Sequence, residues 1–375
     1  MSEFPRPKAK ANEPSTDAPY DEPRFQRSQR TYSEALKQGE VMRETLISQK
    51  ENLQRIAKRL ADRKFRRTVI VGCGDSWFSG IGVRFAFEKL LGIPVEALQA
   101  LDFALYNGVA ANEEDLVIGI SSGGNTPAVI KALDNAKTGK AFTIGVSNTE
   151  NTPALMNYDD GIYVPATRKG WPTQASTSAM AVLLQFASLL AGEKSSYSTQ
   201  LINEFDGELA RLPDMIDQVN QQTDHEMKSL ANELVDAKFL FFSAGGPHFA
   251  AASFGAAKVK ELSPIHAYTI PLEEFHHYRS LKPGDPLFLI APDQASHARA
   301  LDTAEVGGYD GGKIFALVPQ DEQQISAIAH WVCKLPSTHP WLAPILYSIP
   351  LHLFAFHFAM AKFDKKLGFT PAFSE

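Results

Sequence analysis

The feature that most constrains this chain is an internal repeat. The apolar segment TVIVG starts at position 68, and the similar segment FLFFS starts at position 239. DLVIGI at 115 and DPLFLI at 285, like Val164-Pro165 and Leu335-Pro336, are separated by the same offset to within one position. A nearly constant offset between matching segments indicates a duplicated structural unit. The chain of 375 residues is long enough to hold two such units.

Short apolar segments alternate with amphipathic stretches in both copies. Strands that are separated by helices are typical of βαβ units and of a parallel sheet. The sequence therefore predicts an α/β fold with two five-stranded parallel sheets. The predicted strands are Thr68–Gly72, Val95–Ala100, Leu116–Ile120, Phe142–Val146 and Ile162–Pro165 in the first copy, and Phe239–Ser243, Ile265–Ile270, Leu287–Ile290, Ile314–Val318 and Val332–Pro336 in the second.

The remaining segments follow from composition and from helical spacing of apolar residues. The first residues are rich in Pro, Asp, Glu, Lys and Ser, which have little surface to bury, so we expect disorder there. Apolar residues at helical spacing follow, with Gly39 as an expected interruption. The predicted organisation is a disordered tail at 1–27, a helical segment at 28–66, the first α/β domain at 67–196, a helical linker at 197–236, the second α/β domain at 237–362 and a C-terminal tail at 363–375.

Charge and cysteine content exclude several classes of function. The net charge is −6 and the pI is about 6.0, so no basic surface is expected for nucleic acid. Two cysteines without metal-ligand spacing are typical of a reducing compartment and predict neither disulfides nor a metal site. The N-terminus lacks the apolar core of a signal peptide, and the longest apolar stretches are too short or too broken to span a bilayer. We therefore expect a cytoplasmic protein without nucleic-acid or membrane partners.

Two loops in the first copy are candidates for ligand binding. GCGDS (Gly72–Ser76) and SSGGNTP (Ser121–Pro127) each follow a predicted strand. Ligands of open parallel sheets bind beyond the carboxyl ends of strands, where helix N-termini attract anions. Thr126 and Pro127 suit a helix start, so the second loop is either a phosphate cradle or a polar turn. Trp77 stands where a dinucleotide fingerprint needs glycine, and we expect no cofactor.

The second loop resembles the S-x-S-G-x-T motif of SIS (sugar isomerase) domains. Such domains occur in tandem in the isomerase half of glucosamine-6-phosphate synthase, and also in fructosamine-phosphate deglycases and amino-sugar-phosphate deaminases. The resemblance covers about residues 45–362 and implies two tandem flavodoxin-like SIS domains that act on a small anionic sugar. By match to the family's motifs, it implies substrate-binding roles for Ser76, Ser121, Ser122, Thr126, Ser176 and Thr177.

The resemblance extends to a candidate acid and base in the second copy. GAAKVKELSPIHAYTIPLEEFHHY is similar to a family stretch in which histidine follows glutamate after sixteen residues, here Glu261 and His277. The match implies that Glu261 moves a proton between sugar C1 and C2, that His277 assists ring opening, and that Lys258 and Glu274 lie near the substrate. An aldose–ketose shift needs one carboxylate that removes and returns a proton. The family histidine commonly serves the neighbouring subunit, which implies a homodimer; His276 is an alternative base.

Several positions depart from the family pattern and leave the anion open between phosphate and sulfonate. Tyr278 replaces a common glycine and is expected to crowd the site, and Ser2 replaces the nucleophilic cysteine of the synthases, so we expect no glutaminase activity. The other departures are Gly123 for the second serine of the anion motif, Trp171 for a residue that is often acidic, Ser178 for a residue that is often lysine, and Lys365 and Lys366 as weak substitutes for the synthase's C-terminal lysine.

Three hypotheses for function remain. The first is an enzyme that isomerises, deaminates or deglycates a phosphorylated sugar or amino sugar, or isomerises another anionic sugar such as a sulfosugar. The second is a non-catalytic SIS regulator that senses a sugar phosphate, and the third is a structural α/β protein. Retention of Glu261 together with His277 favours the enzyme over the regulator. The structural hypothesis leaves the loop Ser121–Thr126 unexplained.

Overall fold

Each copy of the repeat forms a five-stranded parallel sheet in the computed structural model of the protein, which describes residues 22–107, 110–279 and 281–365. The first sheet consists of β1 (Arg67–Gly72), β2 (Val95–Gln99), β3 (Asp115–Ile120), β4 (Phe142–Ser147) and β5 (Asp160–Tyr163). The second consists of β6 (Phe239–Ala244), β7 (His266–Pro271), β8 (Pro286–Ile290), β9 (Lys313–Pro319) and β10 (Trp331–Leu335). All ten predicted strands are thereby confirmed.

The two sheets have the same topology. Their strand orders are β2-β1-β3-β4-β5 and β7-β6-β8-β9-β10, and every pair of neighbouring strands is parallel. This is the flavodoxin-like order, and it confirms the predicted fold class. Contacts divide the described chain into a first unit, residues 37–168 and 172–213, and a second unit, residues 22–36, 169–171 and 214–365.

Helices connect and flank the strands. Those of the N-terminal part and the first copy are α1 (Glu22–Leu36), α2 (Gln38–Leu60), α3 (Asp75–Leu91), α4 (Ala100–Asp102, followed by a π-helical turn at Phe103–Asn107), α5 (Pro127–Thr138), α6 (Pro153–Met156) and α7 (Gln174–Lys194). They are followed by α8 (Thr199–Glu233), α9 (Phe249–Leu262, preceded by a 3-10 turn at Gly246–His248), α10 (Glu274–His277), α11 (His297–Tyr309), α12 (Gln324–Ile328), α13 (Ala343–Leu346) and α14 (Ser348–Asp364).

Burial on both faces explains why the central strands are predominantly apolar. All six residues of β3 are buried, as are all five of β8. In the second sheet, Phe242, Phe288 and Phe315 are register partners on adjacent strands, with ring centroids 4.8 and 5.4 Å apart. Aromatic neighbours across strands stabilise both the sheet and its register. The carboxyl ends of the strands are thereby held in fixed positions.

The N-terminal segment differs from its prediction. The first helix begins at Glu22, not at 28, and the break between α1 and α2 falls at Lys37 and not at Gly39. The buried positions of α1 include Arg24, Ser28 and Glu34, which are polar, so apolar spacing cannot reveal this helix. Residues 1–21, predicted as a tail, lie outside the described residues, as do 366–375.

Two helices meet the length and composition of a membrane span, Gln174–Lys194 and Ala343–Asp364. Their most apolar windows are 83% and 94% buried inside the protein. Such burial is typical of the core helices of an α/β unit, whose whole circumference contacts other elements. Length and apolar composition are therefore explained by packing in each unit.

Candidate functional site

The strand order locates the candidate site of the first copy. The order reverses between β1 and β3, since β2 lies on one side of β1 and the later strands lie on the other. Ligands of such sheets bind at this switch point, beyond the carboxyl ends of the two strands. The loop Gly72–Ser76 follows β1 and the loop Ser121–Pro127 follows β3, so the two predicted loops lie on either side of this position.

Ser121 organises the second loop. Its buried hydroxyl exchanges a hydrogen bond with Thr126 Oγ1 at 2.9 Å and accepts another from the Thr126 amide at 3.2 Å. The amide of Gly124 donates to the Ser121 carbonyl at 2.8 Å. Gly124 has a φ of 67°, and a side chain there would meet Thr152 at 2.0 Å. These contacts form a tight turn that leads into the N-terminus of α5, where free amides and the helix dipole favour an anion.

Three further predicted serines lie in these loops or at the start of a helix beside them. Ser122 is half-buried, and its carbonyl accepts hydrogen bonds from the Asn148 amide at 3.1 Å and the Thr149 hydroxyl at 3.2 Å. Ser76 is half-buried in the first turn of α3. Ser176, in the first turn of α7, donates to Asp75 Oδ2 at 3.4 Å, which joins the start of α7 to the loop after β1.

Thr177 has a different environment from its neighbours. It is fully buried, and its hydroxyl contacts Gln38 Oε1 at 3.0 Å and the carbonyls of Thr173 and Gln174 at 3.3 and 3.4 Å. A hydroxyl that is buried in this way holds α7 against α2. Its described contacts are structural.

An arginine that the sequence motifs do not indicate lies beside the second loop. A Cβ atom built on Gly123 would be 3.4 Å from Arg168 Nη2 and 3.4 Å from Asn125 Oδ1. Arg168 is exposed and follows β5, so it is distant from Gly123 along the chain. A guanidinium group therefore lies next to the backbone at the position where the family motif has its second serine.

The second copy has a carboxylate at the corresponding place. By the offset of the repeat, Asp293 and Ser296 are the counterparts of Gly123 and Thr126, and they lie in the loop between β8 and α11. The Ser296 amide and hydroxyl donate to Asp293 Oδ1 at 3.1 and 2.9 Å, and His248, from the loop after β6, donates to Asp293 Oδ2 at 2.6 Å. This switch point is occupied by the protein's own ion pair.

Glu261 and Lys258 lie in the last turn of α9 and contact each other. Lys258 Nζ donates a hydrogen bond to Glu261 Oε2. The Lys258 side chain is 0% exposed, whereas that of Glu261 is 31% exposed. Arg24, which is buried, donates from Nη1 to the Glu261 carbonyl at 2.6 Å. A charged hydrogen bond from lysine favours the ionised carboxylate, which is the form that a base requires.

The two adjacent histidines differ sharply in environment. His276 contacts Thr303 Oγ1 through Nε2 at 2.9 Å, and its burial, followed by the charge of Arg299, lowers its pKa. His277 is 62% exposed, and its ion-pair partner is Glu273 on the same turn, at 3.7 Å. Glu274 is also exposed. His276 is therefore built into the packing of the second unit, and His277 has an imidazole that is open to solvent.

Most of the departures from the family pattern lie in structural positions. Tyr278 is 72% exposed, and its crowding of the site stays a prediction. Trp171 is buried in a cluster with Leu262 and Phe356, with the Arg27 guanidinium 4.5 Å from its ring centroid. Ser178 is fully buried in α7, and Lys365 contacts Asp236 at 3.4 Å.

Comparison with known proteins gives the family. The model of the SIS domain matches residues 60–191 and 233–362. Glutamine–fructose-6-phosphate aminotransferase (isomerizing) of Bacteroides thetaiotaomicron is 30% identical over 302 residues, which are 79% of this chain and 49% of the relative. The chain thus spans about half the length of the curated relatives it matches.

Solved structures share the fold. The C-terminal domain of glucosamine-fructose-6-phosphate aminotransferase from Francisella tularensis aligns with a TM-score of 0.80 at 23% identity, over 88% of this chain and 96% of that one. Glucosamine-6-phosphate deaminase from Thermotoga maritima aligns with a TM-score of 0.67 at 18% identity, over 88% and 94% of the two chains. With two matched domains that cover most of its length, the chain belongs to the SIS domain family.

Proposed function

We propose that the protein is an enzyme that isomerises, deaminates or deglycates a phosphorylated sugar or amino sugar. In this proposal the loop Ser121–Thr126 binds the anionic group of the substrate, and Ser76 and Ser176 are further substrate-binding residues. Glu261 transfers the proton. The names of relatives and structural neighbours, an isomerizing aminotransferase and a deaminase of glucosamine-6-phosphate, support this class of substrate.

The observation that carries the proposal is the contact between Lys258 and Glu261 at the end of α9. The Lys258 side chain is fully buried, but the side chain of Glu261, which it contacts, is 31% exposed. An ion pair with one buried and one exposed partner adds little to stability, because burial of the ammonium group costs desolvation energy. The same arrangement suits a catalytic base, because lysine keeps the carboxylate ionised and oriented while the carboxylate can still reach a substrate.

The chemical steps require this carboxylate, a group that opens the ring, and transfer of a proton between the oxygens on C1 and C2. Deamination or deglycation also consumes a water molecule and releases ammonia or an amine. Glu261 removes a proton from the carbon next to the carbonyl, which gives an enediol, or an enolamine where nitrogen is attached. The same carboxylate returns the proton to the neighbouring carbon, which completes the aldose–ketose shift. We assign ring opening to His277, whose exposed imidazole can both accept and donate a proton. In a homodimer, this exposed histidine would serve the neighbouring subunit.

The proposal is tested by following proton exchange at carbon. The protein is incubated in D₂O with fructose 6-phosphate, glucosamine 6-phosphate, a fructosamine phosphate and a sulfonated hexose, and deuterium at C1 and C2 is measured by NMR. We expect exchange with at least one of these sugars, and its loss in Glu261→Gln. Glu305→Gln, which removes an exposed carboxylate on α11, is the matched control and should exchange normally.

The main alternative is a non-catalytic SIS regulator. It predicts that sugar phosphates raise the melting temperature while no carbon-bound proton exchanges in any of them. Binding without exchange in the native protein would therefore overturn the enzyme and favour the regulator. Normal exchange in Glu261→Gln would remove Glu261 as the base.

A further inference from the structure

The glycine at position 123 calls for an explanation, because its backbone does not require it. Gly124, its neighbour, has a φ of 67° and no room for a side chain, so only glycine fits there. Gly123 is absent from the residues with positive φ, and a Cβ atom at this position would lie at ordinary contact distance from its nearest neighbours. A serine could therefore adopt this backbone conformation. What the glycine provides is space.

The group beside that space is the guanidinium of Arg168. Its Nη2 atom lies 3.4 Å from the position that a Cβ of residue 123 would take, so a serine hydroxyl directed the same way would compete for its volume. Two other arginines of the first unit form ion pairs: Arg59 contacts Asp160 at 2.8 Å, and Arg66 contacts Asp115 at 2.7 Å. Within the described ranges, no carboxylate lies within ion-pair distance of Arg168.

We propose that Arg168 is an anion-binding residue of the loop Ser121–Thr126, and that it replaces the missing serine hydroxyl. This inference rests on the proposed function of the loop. A hydroxyl can donate one hydrogen bond, whereas a guanidinium donates two in parallel and adds a full positive charge. The remainder of the loop offers hydroxyls and amides without formal charge, so Arg168 supplies its cationic component.

The chemistry indicates which ligands such a loop prefers. Guanidinium forks match the spacing of two oxygens on a phosphate or sulfonate group. Because guanidinium only donates, it favours a fully ionised group: a phosphate dianion or a sulfonate, and not a protonated phosphate or a neutral hydroxymethyl group. The substrate class is therefore a sugar with a terminal, fully ionised tetrahedral oxyanion, and binding should weaken as salt rises.

The assignment is tested by titrating the full chain with inorganic phosphate at pH 8 and measuring the heat of binding by calorimetry. A parallel titration with methanesulfonate tests whether a sulfonate group binds. Arg168→Gln should weaken phosphate binding by roughly 10- to 100-fold, and Arg168→Lys should recover only part of it. Lys140→Gln, the same loss of charge at the opposite end of α5, should bind as the native protein does. Because Arg168 is exposed, these variants should fold normally, and melting temperatures without anion check this.

The sharpest comparison uses the family's own residue. Gly123→Ser should weaken phosphate binding in the native background, because the side chain competes with the guanidinium, but should strengthen it in Arg168→Gln, where the space is free. If phosphate binds Arg168→Gln as tightly as the native chain but binds Thr126→Val more weakly, Arg168 has no role in binding. The loop Ser121–Thr126 would then remain the anion site. If phosphate does not bind the native chain, or binds Arg168→Gln and Thr126→Val as tightly as the native chain, the loop Ser121–Thr126 is not an anion site. That result would also overturn the proposed function.

Discussion

In the second copy of the repeat, the imidazole of His248 donates a hydrogen bond of 2.6 Å to the carboxylate of Asp293. The two residues come from the loops after β6 and β8, which are the counterparts of the two candidate loops in the first copy. Ser296, at the start of α11, donates to the same carboxylate. The helix N-terminus that could attract an external anion thus already has an internal one. Of the two equivalent positions that the duplicated fold offers, the one in the second copy therefore holds a carboxylate of the protein itself.

Asp293→Asn should lower the free energy of unfolding at pH 7 by about 2 kcal/mol. Burial alone would raise the pKa of Asp293, but the hydrogen bond and charge of His248, together with the contacts from Ser296, outweigh it and lower the pKa to about 2. A carboxyl group whose pKa is lowered by folding stabilises the protein above its unfolded pKa, near 4, and loses that contribution as the pH falls toward 2. Urea unfolding between pH 7 and pH 3 measures this difference.

Asp321→Asn is the control for that experiment, because Asp321 is an exposed carboxylate in the same unit. Its unfolding free energy should match the native value at each pH. A difference between Asp293→Asn and the native chain that does not shrink at pH 3 would contradict a role for the ionised carboxylate.

Ser121→Ala and Ser122→Ala should distinguish residues that stabilise the loop Ser121–Thr126 from residues that only bind phosphate. Ser121 holds Thr126 through two hydrogen bonds, so its loss should cost about 1–2 kcal/mol of stability and also weaken phosphate binding. Ser122 contributes its carbonyl to the loop, and alanine retains that contact, so Ser122→Ala should reduce phosphate affinity alone. Thermal melts and phosphate titrations measure the two effects. Destabilisation by Ser122→Ala, or unchanged phosphate affinity in both variants, would contradict this division.

The fold could be predicted from the sequence because its strongest signals are local and repeated. Each central strand is predominantly apolar because both faces of the sheet are covered. The constant offset assigns the matching strands of the two copies to matching sheets. The start of α1 could not be predicted in this way. Glu34 is buried because its carboxylate accepts hydrogen bonds from the amides of Lys169 and Gly170, at 2.8 and 3.0 Å, and such long-range polar contacts leave no periodic pattern.

The candidate site could be predicted only where its residues form a contiguous motif. Ser121 and Thr126 stand in one loop, and Lys258 and Glu261 in one helical turn, so sequence spacing brings them together. Arg168 approaches Gly123, and His248 approaches Asp293, from a distant part of the chain. Each of these pairs joins two loops at the end of a sheet, where the fold and not the spacing creates the contact. In the sequence, only Gly123, which replaces the second serine of the motif, relates to the contact with Arg168.

Lys258→Met should lower kcat by roughly 10- to 100-fold with little change in KM. The buried ammonium orients the Glu261 carboxylate and favours its ionised form, but methionine fills a similar apolar volume. Because Glu261 stays partly exposed, its charge remains hydrated, and the unfolding free energy should change by about 1 kcal/mol or less. Lys260→Met, on the exposed face of the same helix, is the control. A normal kcat in Lys258→Met would show that Glu261 needs no lysine.

His276→Ala and His277→Ala should differ in stability and in turnover. His276→Ala loses the contact with Thr303 and should cost about 1 kcal/mol, whereas His277→Ala, at an exposed position, should cost nothing measurable. Folding lowers the pKa of His276, so the unfolded chain binds a proton more readily and the contribution of His276 declines as the pH falls below about 6.5. Turnover of a ring-closed sugar should fall more in His277→Ala than turnover of an open-chain analogue. The reverse pattern would assign ring opening to His276.

Mixing two inactive variants tests whether His277 serves the neighbouring subunit. Glu261→Gln lacks the proton-transfer group and His277→Ala lacks the exposed imidazole, so neither homodimer should turn over a ring-closed sugar. If each active site combines Glu261 of one subunit with His277 of the other, a heterodimer contains one intact site and one site that lacks both groups. Random exchange then produces heterodimers as half of all dimers, and activity should reach roughly a quarter of the native value. Subunit exchange is verified separately with differently tagged chains. A fully exchanged mixture that remains inactive would place both residues in the same subunit's site.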